Sequence, residues 1–242
     1  ILKTARLGYD GKGQVRVDTA DQARAAYAEL GDIACVLEKR LTLALEVSVI
    51  VTRSHPAQMA VFPVAENQHA HGILDVSIVP ARIDPALATQ AQNMAKQLAE
   101  TLNYIGVLAV EFFVLADGVL VVNEIAPRPH NSGHYSQDAC DVSQFELQVR
   151  TLAGLPLTQP RQHSAAIMLN LLGDLWFAQG DTAQTPPWAE VLALPGVHLH
   201  LYGKTLAKHG RKMGHLNITA ATPEAARATA LQAAALLGIE PF

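Results

Sequence analysis

Two glutamates, Glu111 and Glu124, sit inside apolar runs on either side of an Asp117-Gly118 pair. The runs 107–115 and 119–125 read as the strands of a β-hairpin, because Asp and Gly both tolerate the positive φ that a tight turn requires. If Asp117 and Gly118 form a two-residue loop, Ala116 pairs with Val119, and equal steps outward set Glu111 opposite Glu124. Facing carboxylates on one side of an antiparallel pair repel, and neighbours such as Ala109, Val110, Phe112, Phe113, Val121 and Val122 give no relief. A hard divalent cation relieves them. It takes oxygen ligands and completes its shell with phosphate oxygens, which points to Mg²⁺, with Mn²⁺ as a substitute, held together with a nucleotide. The competing account is an exposed hairpin face with two solvated glutamates, and a one-residue bulge would undo the register.

Just past Glu124, the chain crowds Arg128, His130, Asn131, Ser132 and His134 into one short stretch. His130 and His134 have the spacing of helical zinc ligands, but Pro127, Pro129 and Gly133 argue against a helix. Neutral and cationic donors beside a metal suit an oxyanion that develops charge during reaction, although Asn131 and Ser132 could instead bond their own backbone. At the other end, Gly8-Tyr9-Asp10-Gly11-Lys12-Gly13 forms a glycine-rich hairpin tip near Lys3. Its backbone N–H groups can approach phosphate oxygens, but it matches neither the P-loop nor the dinucleotide glycine pattern. A plain flexible turn is the bland alternative. A second basic stretch, Lys204 to Lys212, is broken by Gly203, Gly210 and Gly214, so Lys204 and Arg211 can converge on one anion rather than spread around a helix.

The elements that position these groups alternate strands with a few clear helices. Asp18 or Thr19 caps a helix running to Leu30, and Cys35–Lys39 reads as a short strand. Leu43–Thr52 is a longer strand carrying Glu46, which on pattern alone belongs to a polar strand face. Short strands follow at Val61–Val64 and Val76–Val79, with Glu66–Gly72 as a polar loop whose His69 and His71 are surface residues or metal ligands. Asp84-Pro85 opens a helix with Leu87, Ala91, Met94, Ala95, Leu98 and Leu102 on one face. A helix over Ser143–Ala153 leads through a proline-rich linker to a terminal unit, with strands near Ala165–Leu172, Val197–Tyr202 and His215–Ile218 and a last helix from Thr222 to Gly238.

Composition narrows the function classes. A formal charge of -4 argues against a nucleic-acid partner, and no apolar stretch approaches the ~20 residues needed to span a bilayer. Without a basic-then-apolar leader, the cytosol is the expected location. Cys35 and Cys140 stand alone and are expected to be buried hydrophobes.

The motifs GYDGKGQ, EKRL with EVSVIV, ENQHAHGILDVSIVPAR, VEFFV, NEIAPRPHNSGHYS, SQFELQVR and GRKMGHLN together resemble N5-carboxyaminoimidazole ribonucleotide synthetases, the ATP-grasp carboxylases of purine biosynthesis. The likeness covers nearly the whole chain. It implies an α+β ATP-grasp fold: a lid subdomain over 1–45, a central antiparallel-sheet subdomain over 46–157 bearing the metal site, and a small β-rich C-terminal domain over 158–242. It also implies a further α/β domain of roughly a hundred residues ahead of Ile1. By resemblance, Lys3 and the loop Gly8, Tyr9, Asp10, Gly11, Lys12, Gly13 and Gln14 hold the triphosphate. Glu38, Lys39, Arg40 and Leu41 supply the adenine hinge, and Glu46 takes the ribose hydroxyls. His69 and Asn123 lie beside the nucleotide, and Glu111 and Glu124 ligate magnesium. Tyr9, Asp10, Arg128, His130, Asn131, Lys204, Arg211 and Lys212 bind aminoimidazole ribonucleotide or the bicarbonate-derived intermediate, with Arg128, His130, Asn131 and His134 nearest the chemistry. The resemblance names ATP, bicarbonate and aminoimidazole ribonucleotide as small-molecule partners of a cytoplasmic homodimer. Three other readings stand beside it: an ATP-grasp ligase with a different acid substrate, a non-catalytic Mg-ATP-binding fragment, and a purely structural fragment inactive without its partner domain.

Overall fold

The protein is described here from a computed structural model that covers residues 1–8, 12–55 and 58–242. Strands β1 (Leu2–Thr4) and β2 (Gln14–Val15) flank the glycine-rich turn. Helix α1 (Ala20–Glu29) follows, capped by the Thr19 hydroxyl accepting from the Gln22 N–H, and β3 (Cys35–Leu37) closes a three-stranded antiparallel sheet in the order β2-β1-β3. Cys35 is only half-buried on this small sheet, whereas Cys140 is buried as expected and its thiol is pushed up to about 12, mainly by that burial.

The remaining strands form one nine-stranded antiparallel sheet. In chain order these are β4 (Leu43–Arg53), β5 (Met59–Val61), β6 (Ala65–Ala70) and β7 (Ile73–Val79), then helix α2 (Pro85–Thr101), then β8 (Gly106–Leu115) and β9 (Leu120–Ala126). A 3-10 turn at Asn131–Gly133 leads to helices α3 (Ser136–Ala139) and α4 (Gln144–Leu152) and strand β10 (Ala165–Leu172). The chain ends with α5 (Trp188–Leu192), β11 (Val197–Leu201), β12 (Lys212–Ala220) and α6 (Pro223–Leu237). The order β11-β12-β10-β7-β6-β4-β8-β9, with β5 beside β4, makes the terminal strands a continuation of the central sheet.

Helix α2 forms where Asp84 accepts from the Ala86 N–H and Pro85 takes the first turn. Its small residues Ala91, Ala95 and Ala99 are fully buried one turn apart, so the helix lies close against Val47, Val49, Val51, Leu108, Val110 and Phe112 of β4 and β8. Leu102, placed on the same face from the pattern, is the helix C-cap and is 52% exposed. Helix α6 repeats the device with Ala226, Ala230, Ala233 and Ala234 against β10 and β12.

The opposite face of the sheet divides in two. At one end Ile50, Val107 and Ala109 pack with Tyr135, Ala139 and Leu147 under α3 and α4. Farther along the same strands, at alternate positions, the face turns polar: Glu46 and Ser48 on β4, Asn67 on β6, Glu111 on β8. The site described below occupies this end.

Residues Glu66–Gly72, expected as a loop, instead form β6 and the two-residue turn His71-Gly72. Glu66 and Asn67, whose polarity suggests a loop, find buried partners. Glu66, 5% exposed, receives the Arg82 guanidinium and the Arg82 backbone N–H. Burial alone raises the Glu66 carboxyl, but these Arg82 bonds outweigh it and hold the group below the usual carboxylate range. A depressed folded-state pKa stabilises the protein above the unfolded carboxylate value, and that stability is lost as pH falls through the folded one. Arg82→Ala is therefore expected to cost about 1–3 kcal/mol at pH 7 by leaving a buried acceptor unpaired, and to flatten the acid limb of the stability curve. Denaturant melts of both proteins between about pH 7 and pH 3 check this.

Candidate functional site

The hairpin of β8 and β9 sets Glu111 directly opposite Glu124, as the sequence suggests, but by a different route. The turn is not the two-residue loop. Leu115 rather than Ala116 bonds Val119, leaving 116–118 as a three-residue loop with Gly118 at φ +82°. That slips the register by one residue, so Phe112 pairs with Val122. A bulge at Asn123 then slips it back, and the two irregularities cancel at Glu111.

The carboxylates do not stand alone. Burial pushes the Glu111 carboxyl up, and the nearby charges of Glu124 and Glu46 push it further, while His69 and Lys212 act against them. Glu46 lies across β4, and its Oε2 meets the His69 Nδ1 at 3.1 Å. Burial lowers the His69 ring, but the Glu46 contact and the field of Glu111 raise it above its ordinary value. Glu111 thus feels both Glu124, opposed to it across the hairpin, and Glu46, and the facing pair can share a divalent cation. Among the described residues no group of three or more His, Cys, Asp or Glu is placed to hold a metal ion by itself. A Glu pair of this kind leaves the rest of an oxygen shell to water and phosphate, which fits a nucleotide-bound Mg²⁺-like ion and not structural zinc.

The loop after β9 folds back over these groups. The His130 Nε2 lies 3.2 Å from the Glu111 Oε1, and its Nδ1 lies 3.0 Å from the Ser132 Oγ. Gln144 at the start of α4 clamps the loop backbone, accepting from the His130 N–H at 2.9 Å and donating to the His130 carbonyl at 2.7 Å. The clamp requires Gly133. A Cβ there would come within 2.6 Å of the Gln144 Oε1 and 2.8 Å of the Ile50 Cγ1. Gly133→Ala is expected to cost about 1–3 kcal/mol by overpacking and to lower turnover beyond that loss by displacing His130. Thermal melts and kcat, measured on the same preparation, separate the two effects.

The other expected residues fall in four places. The Lys3 Nζ meets the Glu38 Oε2 at 2.6 Å, and Glu38, Lys39 and Arg40 line a cleft of about 450 Å³ beside Ile1 and Ala20. Leu41 follows directly in the chain. Gly8, Lys12, Gly13 and Gln14 bring the glycine-rich turn beside Thr4; Gly13 has φ +71°, and a Cβ would lie 2.6 Å from the Thr4 Oγ1. Tyr9, Asp10 and Gly11 lie outside the described residues. Arg128 is exposed and donates to the Pro129 carbonyl. Asn131 donates to the Asn170 Oδ1 at 3.5 Å, and so links the loop to β10.

In the basic loop, Lys204 donates to the Lys212 carbonyl, and Arg211 donates to the Leu206 carbonyl at 2.8 Å. Burial, then the charges of Arg211 and Lys212, lower the Lys204 ammonium, so these cations stand close together. Lys212 also acts electrostatically on Glu111 and His69, which ties this loop to the carboxylates.

His134 sits in a cluster that sequence reasoning missed. Its ring packs on Phe145, Tyr202 and His215, with its Nδ1 3.0 Å from the Gln144 Nε2. Burial, reinforced by neighbouring cations, pushes it down to about 3, so it is neutral near pH 7. His200 stacks on His215 at 4.5 Å and contacts the Asp138 Oδ2 at 2.7 Å, which also accepts from Asn217 at 2.6 Å. The alternating VHLHL of β11 was the available signal. Ser48, Asn67 and Ser77 were missed too, and their signal is polar residues at period two inside apolar strands.

Known proteins share this sequence pattern and fold. Residues 1–145 match the ATP-grasp domain family, and 166–229 match the phosphoribosylaminoimidazole carboxylase C-terminal domain. The chain is 46% identical over 218 residues to the N5-carboxyaminoimidazole ribonucleotide synthase of Brucella melitensis, covering 89% of this chain and 58% of the relative. It is 45% identical over 216 residues to the enzyme of that name from Bacillus subtilis, covering 89% and 55%. The chain thus spans little more than half the length of these curated relatives. Among solved structures, the Staphylococcus aureus N5-carboxyaminoimidazole synthetase with ADP superposes with a TM-score of 0.84 at 38% identity, covering 98% of this chain and 60% of that one. The Aspergillus clavatus synthase with ADP and 5-aminoimidazole ribonucleotide gives 0.85 at 31% identity, covering 98% and 61%. No helix among the described residues is long and apolar enough to cross a membrane.

Proposed function

Because the chain belongs to the ATP-grasp family, we propose that the full-length protein uses ATP and bicarbonate to carboxylate the exocyclic amine of 5-aminoimidazole ribonucleotide, releasing ADP and phosphate. The observation that carries this reading is the placement of Glu111, opposed to Glu124, in contact with His130 on the donor loop and within the field of Lys212. In this reading the carboxylate pair would handle the phosphates and the loop after it would bind the acid substrate.

In this reading residues 1–45 close over the nucleotide, 46–157 hold the phosphates and the metal, and 158–242 present the basic loop. Glu111 and Glu124 would hold the cation, Mg²⁺ by its preference for carboxylate and phosphate oxygens. When bound, it supplies charge neutralisation for the transferring phosphoryl group. The chain's own residues do the rest. Lys3 and the glycine-rich turn orient the triphosphate, Glu38 to Leu41 flank the base, and Glu46, steadied by His69, faces the ribose. Asn123, on the bulge beside Glu124, lies by the nucleotide. Arg128, His130 and Asn131 offer donors to bicarbonate as one of its oxygens attacks the γ-phosphorus and ADP leaves. The resulting carboxyphosphate gives up CO₂, and the amine nitrogen attacks its carbon and loses a proton. Lys204, Arg211 and Lys212 hold the ribonucleotide phosphate and keep the amine in place.

ADP release by the full-length protein should require bicarbonate and aminoimidazole ribonucleotide together. Release that ignores bicarbonate and responds to formate or an amino acid would instead indicate a different ATP-grasp ligase.

A further inference from the structure

Behind His130 runs a chain of buried side chains that has a single direction. The Ser77 Oγ donates to the Asn67 Oδ1 at 2.8 Å, the Asn67 Nδ2 to the Ser48 Oγ at 2.9 Å, and the Ser48 Oγ to the Ser132 Oγ at 2.8 Å. The Ser132 Oγ lies 3.0 Å from the His130 Nδ1, and the His130 Nε2 lies 3.2 Å from the Glu111 Oε1. Four separate elements contribute: β7, β6, β4 and the turn after β9. Ser48, Ser77 and Ser132 are at most 1% exposed and Asn67 is 5% exposed.

Hydroxyl and amide groups can ordinarily reverse, so such a chain could run either way. Here one member cannot. The backbone N–H of Ser132 is directed at the His130 Nδ1 at 3.4 Å, in the manner of a helix cap, and a backbone N–H only donates. At 3.4 Å that bond is weak and only biases the Nδ1 toward accepting, and the Ser132 hydroxyl at 3.0 Å completes the bias. Ser132, with its hydroxyl also turned to Nδ1, must accept from Ser48; Ser48 must then accept from an N–H of Asn67, which leaves the Asn67 oxygen for Ser77. The direction read outward from His130 agrees with the Asn67 amide, whose Nδ2 faces Ser48 and whose Oδ1 faces Ser77. With Nδ1 accepting, the neutral ring carries its hydrogen on Nε2, facing Glu111.

We propose that Ser77, Asn67, Ser48 and Ser132 are positioning residues: a one-way hydrogen-bond relay that fixes His130 as the Nε2–H tautomer and holds that donor at the edge of the carboxylate site. Its link to turnover rests on the carboxylation reading above; the tautomer does not. Simple satisfaction of buried polar groups is indifferent to direction, since the same number of bonds forms either way. A fixed direction matters only if the ring at its end has work to do. As Nε2–H, His130 can donate to an oxygen that becomes more negative as bicarbonate is phosphorylated, and the relay spares it from turning its lone pair there. Partners that orient a residue beside a metal site commonly contribute about 10–100-fold to activity.

Histidine-selective ¹⁵N labelling of the full-length protein reads the tautomer directly, with the His130 signals identified by their loss in His130→Gln. Wild type should show a protonated Nε2 and an unprotonated Nδ1. Ser132→Ala removes the side-chain donor to Nδ1. Asn67→Asp is nearly isosteric but accepts at both oxygens, so at about pH 8 it should reverse Ser48 and Ser132 and draw the hydrogen to Nδ1. Both variants should raise the share of the Nδ1–H form, because only the long Ser132 backbone bond then favours Nε2–H, and lose about 10–100-fold in kcat, with KM for ATP little changed. If Ser132→Ala fails to fold, Asn67→Asp decides. A His130 that stays Nε2–H in the folded variants overturns the relay, as does a kcat that falls only in step with the folded fraction. Should wild type release ADP without bicarbonate while the tautomer still shifts in the variants, the carboxylation reading falls and the relay stands.

Discussion

Glu124→Gln in the full-length protein is expected to lose on the order of a thousandfold in kcat, about 4 kcal/mol of transition-state stabilisation, without a drop in thermal stability. The substitution keeps shape and removes one of two facing charges. Glu111 is the partner that would feel it, because burial and then the charge of Glu124 already push its carboxyl up. In metal-free protein the repulsion is relieved, so the melting temperature should hold or rise. With metal and nucleotide present, the ligand-induced rise should shrink, because the variant binds the pair less tightly. Turnover and melting temperature with and without Mg-ATP check this; equal losses in both would mean that Glu124 is a structural residue.

Arg211→Ala should raise the KM for aminoimidazole ribonucleotide by about 10–150-fold while leaving the affinity for ATP nearly unchanged, since losing a charged hydrogen-bond partner costs about 1.5–3 kcal/mol. The loop that carries it is held by bonds that survive the change. Gly173 donates to the Arg211 carbonyl at 2.8 Å, and a Cβ on Gly173 would meet the Lys208 carbonyl oxygen at 2.2 Å, so the loop backbone is seated without the guanidinium. Lys204, close enough to be lowered by Arg211, retains part of the phosphate field. A fall in ATP affinity with the ribonucleotide KM unmoved would reverse the assignment of the two sites.

The parts of this site that lie within one hairpin or one cap were readable from sequence. Turn chemistry and period two set Glu111 against Glu124, and Asp84-Pro85, Thr222-Pro223 and Ser143 mark true helix starts. Even there the agreement has luck in it. A three-residue turn and a bulge at Asn123 each shift the register by one, and only their cancellation preserves the pairing. What sequence could not show is what depends on strands far apart in the chain. Glu66–Gly72 looked like a loop because its polarity is that of a solvated segment, and only its place between β4 and β7 supplies the Arg82, Ser48 and Ser77 partners that make it a strand. Ser48 and Ser132 are 84 residues apart, and no local pattern announces their bond. Lys212 was placed with the phosphate-binding residues from sequence, but its electrostatic reach to Glu111 follows from β12 joining the same sheet.

The central claim is that ATP phosphorylates bicarbonate before the amine is carboxylated. Bicarbonate labelled with ¹⁸O tests it most directly, because a bicarbonate oxygen that attacks the γ-phosphorus leaves with the phosphate when CO₂ departs. The full-length protein, given Mg-ATP, ¹⁸O-bicarbonate and aminoimidazole ribonucleotide, should release phosphate carrying one ¹⁸O per turnover. Phosphate with no label from bicarbonate, its new oxygen drawn from solvent water, would contradict the account and leave the Glu111–Glu124 site as that of an ATP hydrolase or of a ligase for another acid.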